Sequence, residues 1–314
     1  MITLPPQFDH WFTQRGWSPH PHQVRMLARS DAPALMLIAP TGGGKTLAGF
    51  LPTLVELGAA PGPGLHTLYI SPLKALAADM RRNLTAPIDE MGLAIRVEDR
   101  SGDTTQTRKK AQRADPPHIL LTTPESLALL LSYEDAPRIF AGLKRVVVDE
   151  LHALAESKRG DQLMLCLSRL QALCPDLRRV GLSATVEDPP ALARFLAPHP
   201  TACAIIEADP GPDPDIAMLT TDNPPPWSGG GGRYAIREVL EEVAKHKTTL
   251  IFHNTRAQAE VFFHELWLAN DAGLPVGIHH GSLALEQRKK VEAAMVAGQL
   301  RAVVCTGSLD LGLD

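Results

Sequence analysis

Short apolar runs alternate with longer stretches of mixed character from residue 34 to about residue 207. The runs are Leu35–Ile38, Thr67–Ile70, Ile119–Leu121, Arg145–Val148, Arg179–Leu182 and Cys203–Ile206. Within them apolar residues mostly follow one another instead of alternating with polar ones. That is the pattern of strands buried on both faces of a parallel sheet. The intervening stretches are helical in character, so the pattern predicts βαβ units wound into an α/β domain.

The rhythm breaks at Asp209-Pro210-Gly211-Pro212-Asp213-Pro214 and again at Pro224-Pro225-Pro226-Trp227-Ser228-Gly229-Gly230-Gly231-Gly232. Proline removes ladder donors and polyglycine costs backbone entropy, so this stretch reads as a linker. A short apolar patch, Ile216–Leu219, leaves room for one strand inside it. The alternation then restarts: helix to Lys247, strand Thr249–Phe252, helix to Ala269, strand Pro275–Ile278, helix Leu285–Ala297, strand Arg301–Cys305. The expected organisation is a first lobe over 1–207, a linker over 208–232 and a partial second α/β lobe over 233–314.

Bulk properties narrow the picture. A chain of 314 residues favours two domains over one core. The net charge of −4 excludes a generally basic nucleic-acid binder, so any such contact must come from local basic positions, helix N-termini and backbone amides. Cys166, Cys174, Cys203 and Cys305 show neither C-x-x-C pairing nor metal-ligand spacing, which favours buried, reduced thiols. The start, Met1 to Pro6, has no basic segment followed by an apolar run, and no apolar stretch is long enough for a bilayer. The expectation is a soluble cytoplasmic protein with no membrane partner.

The decisive segment is Ala39-Pro40-Thr41-Gly42-Gly43-Gly44-Lys45-Thr46, between a predicted strand and a predicted helix. Glycines there let backbone N–H groups approach phosphate oxygens, and the helix N-terminus favours an anion. Lys45 would reach the β- and γ-phosphates of ATP, and the Thr46 hydroxyl would hold Mg²⁺. Ala39 stands where the usual pattern has glycine, so a plain strand–turn–helix connection stays open for this segment alone. Downstream, Val146-Val147-Val148 ends in Asp149-Glu150. Asp149 would hold Mg²⁺ through its water shell, and Glu150 would orient and deprotonate the attacking water. His152 is placed to bridge this site to Ser183 and Thr185, whose hydroxyls would sense the γ-phosphate. Taken singly, the acids read as a capped strand end and the hydroxyls as a helix N-cap pair.

In this order, the phosphate segment, Asp149-Glu150-Leu151-His152 and Ser183-Ala184-Thr185 resemble superfamily 2 helicases of the DExH group. Gln23 in Pro19-His20-Pro21-His22-Gln23 resembles that family's adenine-reading glutamine. Ser71-Pro72-Leu73-Lys74, Gly102-Asp103-Thr104 and Thr122-Thr123-Pro124-Glu125 resemble its strand-gripping segments in the first lobe. Thr255-Arg256, His280-Gly281-Ser282 and the run Thr306 to Asp314 resemble those of the second, with Gly312 and Asp314 on the ATP side. The wording is most similar to the Lhr (large helicase-related) group, in its bacterial ligase-associated DNA damage response branch.

The resemblance implies two RecA-like lobes, ATP and Mg²⁺ as cofactors, and 3′-to-5′ movement on single-stranded DNA in repair, beside such partners as a ligase or nuclease. RNA or RNA–DNA hybrids stay open as substrates, because contacts to phosphates ignore the base. Helix N-termini and hydroxyls beside Pro72 and Pro124, with Lys74 and Arg256, suit such contacts. Basic clusters at Arg81-Arg82, Arg108-Lys109-Lys110 and Arg288-Lys289-Lys290 read first as solvated helix faces. The family's next motif, with a glutamine and arginines, is not in this sequence. The expectation is therefore a truncated second lobe, with a non-catalytic nucleotide- and nucleic-acid-binding fragment as the alternative.

Overall fold

The computed structural model describes residues 4–307 apart from 41, 73, 199–200, 211–213, 223 and 228, and only the backbone of 74–79, 82 and 285. It divides into two compact units, Met1–Pro212 and Asp213–Leu313.

The first unit runs α1 (Pro6–Gln14), α2 (Pro21–Ala28), β1 (Ala34–Ile38), α3 (Lys45–Ala59), β2 (Thr67–Ile70), α4 (Lys74–Glu90), β3 (Val97–Arg100) and α5 (Gln106–Ala114). It continues with β4 (Ile119–Thr122), α6 (Pro124–Leu131), α7 (Ala136–Phe140), β5 (Arg145–Val148), α8 (Leu151–Ala155), α9 (Lys158–Leu173), β6 (Arg178–Ser183), α10 (Pro189–Leu196) and β7 (Ala204–Glu207). The seven strands form one sheet in the order β3-β4-β2-β5-β6-β1-β7, and every neighbouring pair is parallel.

Strand parity sorts the core into two layers. Leu35, Leu37, Tyr69, Leu121, Val147 and Leu182 face one way and pack with Phe50, Leu54, Met80 and Leu84 of α3 and α4. Met36, Ile38, Leu68, Ile70, Val146 and Val148 face the other way, onto Leu127, Leu163, Leu167 and Leu196 of α6, α9 and α10. Alternate residues of a strand point to opposite faces, so continuous apolar runs are what a sheet covered on both sides requires. Burial also pushes the thiols of Cys166, Cys174 and Cys203 above their ordinary range, the last to about 11, which keeps them unreactive.

The strand β3 was not among the expected runs. Its sequence, Val97-Glu98-Asp99-Arg100, is mostly charged, and it lies at the sheet edge. Its polar groups are satisfied by α5: Gln112 donates to Glu98 at 2.9 Å, and Arg100 donates to the Lys109 carbonyl at 3.0 Å. The patch at Ile216–Leu219 takes no regular structure, and Ile216 and Met218 are exposed.

The second unit contains α11 (Ile236–Lys245), β8 (Thr249–Phe252), α12 (Arg256–Leu268), β9 (Val276–His279), α13 (Leu285–Val296) and β10 (Ala302–Cys305). Its strands pair in parallel in the order β8-β10-β9. Its core gathers Ile236, Ala259, Phe262, Leu266 and Val304.

Candidate functional site

Because all strands of the first sheet run the same way, every strand-to-helix turn emerges on one rim. The strand order sorts the expected site residues along that rim into two groups. The ends of β3, β4 and β2 carry Gly102-Asp103, Thr123-Pro124 and Ser71-Pro72. The ends of β5, β6 and β1 carry Asp149-Glu150-His152, Ser183-Thr185 and the glycine-rich turn. Hydrogen bonds stitch much of the rim together. Thr122 Oγ1 donates to the Arg100 carbonyl at 2.9 Å, and Ser71 N–H to Thr122 at 3.1 Å. Asp149 N–H donates to Ile70 at 2.8 Å, and Ala39 N–H to Ser183 at 3.1 Å.

The glycine-rich turn has the backbone its sequence requires. Gly42 and Gly44 sit at φ of 75° and 68°, in the left-handed region that glycine enters without penalty. A Cβ on Gly44 would lie 2.9 Å from Gln23 Nε2. Gly44 caps α3, and Lys45 at its first position is buried. Gln23 leans on this turn. Its Nε2 donates to the Gly44 carbonyl at 3.3 Å, and its Oε1 accepts from His20 N–H at 2.9 Å as part of a capping box on α2. Its amide edge is thus anchored to the turn itself. Thr41, Gly312 and Asp314 lie outside the described residues, as does the Lys74 side chain.

Asp149 is buried, with Oδ2 accepting from the Tyr69 hydroxyl and Oδ1 accepting from Glu150 N–H at 2.9 Å. Burial raises its carboxyl to about 6, with the Glu150 charge adding to the rise; the two hydrogen bonds and the Lys45 charge oppose it. Glu150 has φ 47° and ψ 45°, the one non-glycine residue in the left-handed region among those described. Strain of this kind gathers where a side chain must be aimed. Glu150 Oε2 lies 3.5 Å from His152 Nε2. Ser183 Oγ donates to the Ala184 carbonyl at 2.9 Å and shares a 3.1 Å hydrogen bond with His152 Nδ1. Burial, then the Lys45 charge, push His152 below its ordinary value, so the ring is neutral at pH 7. Thr185 is exposed two residues beyond.

The donor set fits Mg²⁺. It offers hard oxygens, the Asp149 carboxylate and the Thr46 hydroxyl on the first turn of α3. No cluster of three or more His, Cys, Asp or Glu able to hold a metal occurs among the described residues. Mg²⁺ commonly takes one or two protein oxygens and fills its shell with phosphates and water.

In the other half of the rim the hydroxyls serve local structure as well. Thr123 caps α6 by accepting from Ser126 N–H at 3.4 Å, with Pro124 at the first helical position. Ser71 and Thr123 are buried, whereas Gly102 and Asp103 are exposed. In the second unit Thr255 caps α12, accepting from Gln258 N–H at 3.2 Å, and Arg256 donates to the Ser282 hydroxyl beside exposed Gly281. Thr306 N–H donates to the His279 carbonyl at 3.3 Å. These segments stand at the ends of β8, β9 and β10, again side by side. Of the basic clusters, Arg81 and Arg108 pair with Asp99, each at 3.4 Å, and Lys109 donates to the Gly102 carbonyl at 3.3 Å. Trp17 packs against Trp11 and under Arg15.

Two residues escaped the sequence reading. Tyr69 reaches Asp149 across the boundary between the two halves of the rim. Arg159, in the first turn of α9, donates to the Pro72 carbonyl at 2.8 Å and to Glu125 Oε1 at 2.6 Å, tying the segments that follow β2 and β4 together. The only sequence signal for Tyr69 is a hydroxyl in an otherwise buried strand, which needs a partner.

A parallel sheet with a glycine-rich turn, two strand-end acids and the His152–Ser183 contact defines a class, and comparison gives it a family. The DEAD/DEAH box helicase family matches residues 20–192 and the helicase conserved C-terminal domain matches residues 233–314. The chain belongs to the DEAD/DEAH box helicases, and its two sheets are RecA-like. Among individual proteins it is similar to the Lhr helicase/probable uracil glycosylase of Mycolicibacterium smegmatis, 37% identical over 97% of this chain and 23% of that protein. It is similar to the ATP-dependent helicase Lhr-Core protein 2 of Thermococcus barophilus, 36% identical over 97% of this chain and 38% of that one. The solved structure of Mycobacterium smegmatis helicase Lhr bound to ssDNA and AMP-PNP superposes with a TM-score of 0.83 at 37% identity, over 99% of this chain and 42% of that one. The chain thus spans between 23% and 42% of the length of these relatives. No helix among the described residues is long and apolar enough to cross a membrane.

Proposed function

We propose that this chain is the motor part of an ATP-dependent DNA helicase or translocase. It binds ATP with Mg²⁺ on the Gly42–Thr46 turn and hydrolyses it, and the energy moves it 3′-to-5′ along single-stranded DNA in DNA repair. The observation that carries the reading is the sorted rim, with phosphate-turn chemistry on β1, β5 and β6 and backbone-gripping segments on β3, β4 and β2. The relative solved with ssDNA and AMP-PNP supports the choice of ligands. Polarity and repair rest on resemblance to the Lhr group, as do ligase or nuclease partners and a cytoplasmic location.

Each residue has a physical task. Lys45 and the turn's N–H groups neutralise the β- and γ-phosphates. Asp149 and Thr46 would hold Mg²⁺, which when bound offsets charge on the phosphates. Glu150, aimed by its left-handed backbone, orients the attacking water and takes its proton. His152 and Ser183 connect that site to the end of β6, with Thr185 beside them. Gln23, fixed against the turn, borders the base side. Ser71, Pro72, Lys74, Gly102, Asp103, Thr123 and Pro124 hold one stretch of DNA backbone. Thr255, Arg256, Gly281, Ser282 and Thr306 hold another, with Gly312 and Asp314 on the nucleotide side of the second unit.

The test is phosphate release with ssDNA and with RNA of equal length. The expected result is stimulation by ssDNA, loss of nucleotide binding in Lys45→Ala, and retained binding with hydrolysis slowed by about 10²–10⁴ in Glu150→Gln. Normal nucleotide affinity in Lys45→Ala refutes the phosphate-turn assignment. Stronger stimulation by RNA shifts the substrate to RNA. Binding of both ligands without turnover makes the chain a binding module.

A further inference from the structure

The acid proposed to hold the metal is not set by its own strand alone. Asp149 follows β5, and its side chain has two oxygens that rotate about one bond. Oδ1 is fixed locally by the N–H of the next residue, Glu150, at 2.9 Å. Oδ2 is fixed from the neighbouring strand, where the Tyr69 hydroxyl donates to it. Tyr69 is fully buried, and its ring packs against Phe50 of α3 with centroids 5.3 Å apart. The packing holds that ring independently of the carboxylate it bonds. Register fixes the approach: Tyr69 pairs with Val147 in the parallel β2–β5 ladder, two residues before Asp149. The phenol therefore reaches diagonally to the tip of the next strand. Tyr69 also lies two residues before Ser71, at the head of a gripping segment.

We infer that Tyr69 is a positioning residue for the metal-holding acid. Its hydroxyl locks the rotation of the Asp149 carboxylate and leaves the remaining lone pairs for the cation. A phenol O–H bonded to a carboxylate is among the stronger hydrogen bonds, and losing one commonly costs about tenfold in an equilibrium that depends on it. The inference rests on the nucleotide reading above, and it assigns no step of hydrolysis to Tyr69.

The experiment measures binding of a fluorescent, nonhydrolysable ATP analogue to the full chain as Mg²⁺ is titrated. Four proteins are compared: wild type, Tyr69→Phe, Asp149→Asn and the double variant. Phenylalanine keeps the ring against Phe50, and thermal melts verify that each variant is folded. The expected result is that Tyr69→Phe raises the Mg²⁺ midpoint about tenfold while affinity in EDTA stays within about twofold of wild type. The double variant should then match Asp149→Asn alone, since Tyr69 acts only through that carboxylate. An unmoved midpoint in Tyr69→Phe, or a double variant whose effects simply add, overturns the inference while wild-type binding leaves the nucleotide reading standing. A wild-type chain that binds no analogue at any Mg²⁺ concentration overturns that reading, and this inference with it.

Discussion

Arg145 stands at the foot of β5 and donates to Glu56 of α3 at 2.7 Å, at the opposite end of the strand from Asp149. The guanidinium is buried and also bonds Thr53 at 3.1 Å and the Ser30 carbonyl at 3.2 Å. Burial alone would raise Glu56. Hydrogen bonds from His66 and Arg145, with the charges of Arg145 and Arg178, outweigh it and hold the carboxyl at about 2. A depressed carboxyl contributes stability above its unfolded value near 4.5, which is lost as pH falls through about 2. Glu56→Gln should therefore cost about 2–3 kcal/mol at pH 7, an amount that shrinks toward pH 2. Urea unfolding of both proteins across this range measures it.

Asp149 works in the other direction. Its folded value of about 6 lies above the ordinary 3.8, so its contribution is full below 3.8 and declines as pH rises through 6. At pH 7.5 the ligand-free chain carries a charged, buried acid that costs about 3 kcal/mol at about 1.4 kcal/mol per pKa unit. Asp149→Asn should raise the melting temperature at pH 7.5 and leave it unchanged near pH 3.5. Equal shifts at both pH values would mean the acid is not held under this penalty.

The phosphate turn gives a paired comparison. Gly42→Ala and Gly44→Ala place a side chain at φ of 75° and 68°, so each carries left-handed strain of about 1–2 kcal/mol. Only at Gly44 does the new Cβ press on Gln23, at 2.9 Å; at Gly42 nothing lies within 4 Å. Similar losses of stability are expected, with nucleotide affinity falling about three- to tenfold further in Gly44→Ala, roughly one neutral hydrogen bond's worth. Calorimetric titration with the nonhydrolysable analogue separates the two.

Arg159 bridges the Pro72 and Glu125 segments without touching the nucleotide half of the rim. Arg159→Ala should weaken ssDNA binding about three- to tenfold and leave nucleotide affinity unchanged. For wild type, log affinity should fall against log salt with a slope of about −0.7 per phosphate contacted. A salt-independent affinity would rule out a grip on the backbone.

What could be read from the sequence was whatever depends on near neighbours. The glycine-rich turn was legible because its glycines answer a local demand, and β1, β2, β4, β5 and β6 because burial on both faces leaves uninterrupted apolar runs. β3 was not, because an edge strand tolerates charge and Glu98 and Asp99 find partners on α5. Tyr69 and Arg159 were not, because their partners lie 80 and 87 residues away and only the strand order brings them together. Thr123 and Thr255 each cap the helix that follows, a local task visible only once the helix starts are fixed.

The one-way run of the seven strands has a consequence for how two ligands can load. From the end of β3 to the end of β1 there are five inter-strand steps, roughly 24 Å at about 4.8 Å each. On the proposed reading, a polymer berthed at one end and a small triphosphate at the other would use different strand ends of this sheet, so neither would block the other there and arrival in either order would be allowed. Any influence between them must then be mutual: the factor by which DNA alters nucleotide affinity equals the factor by which nucleotide alters the hold on DNA.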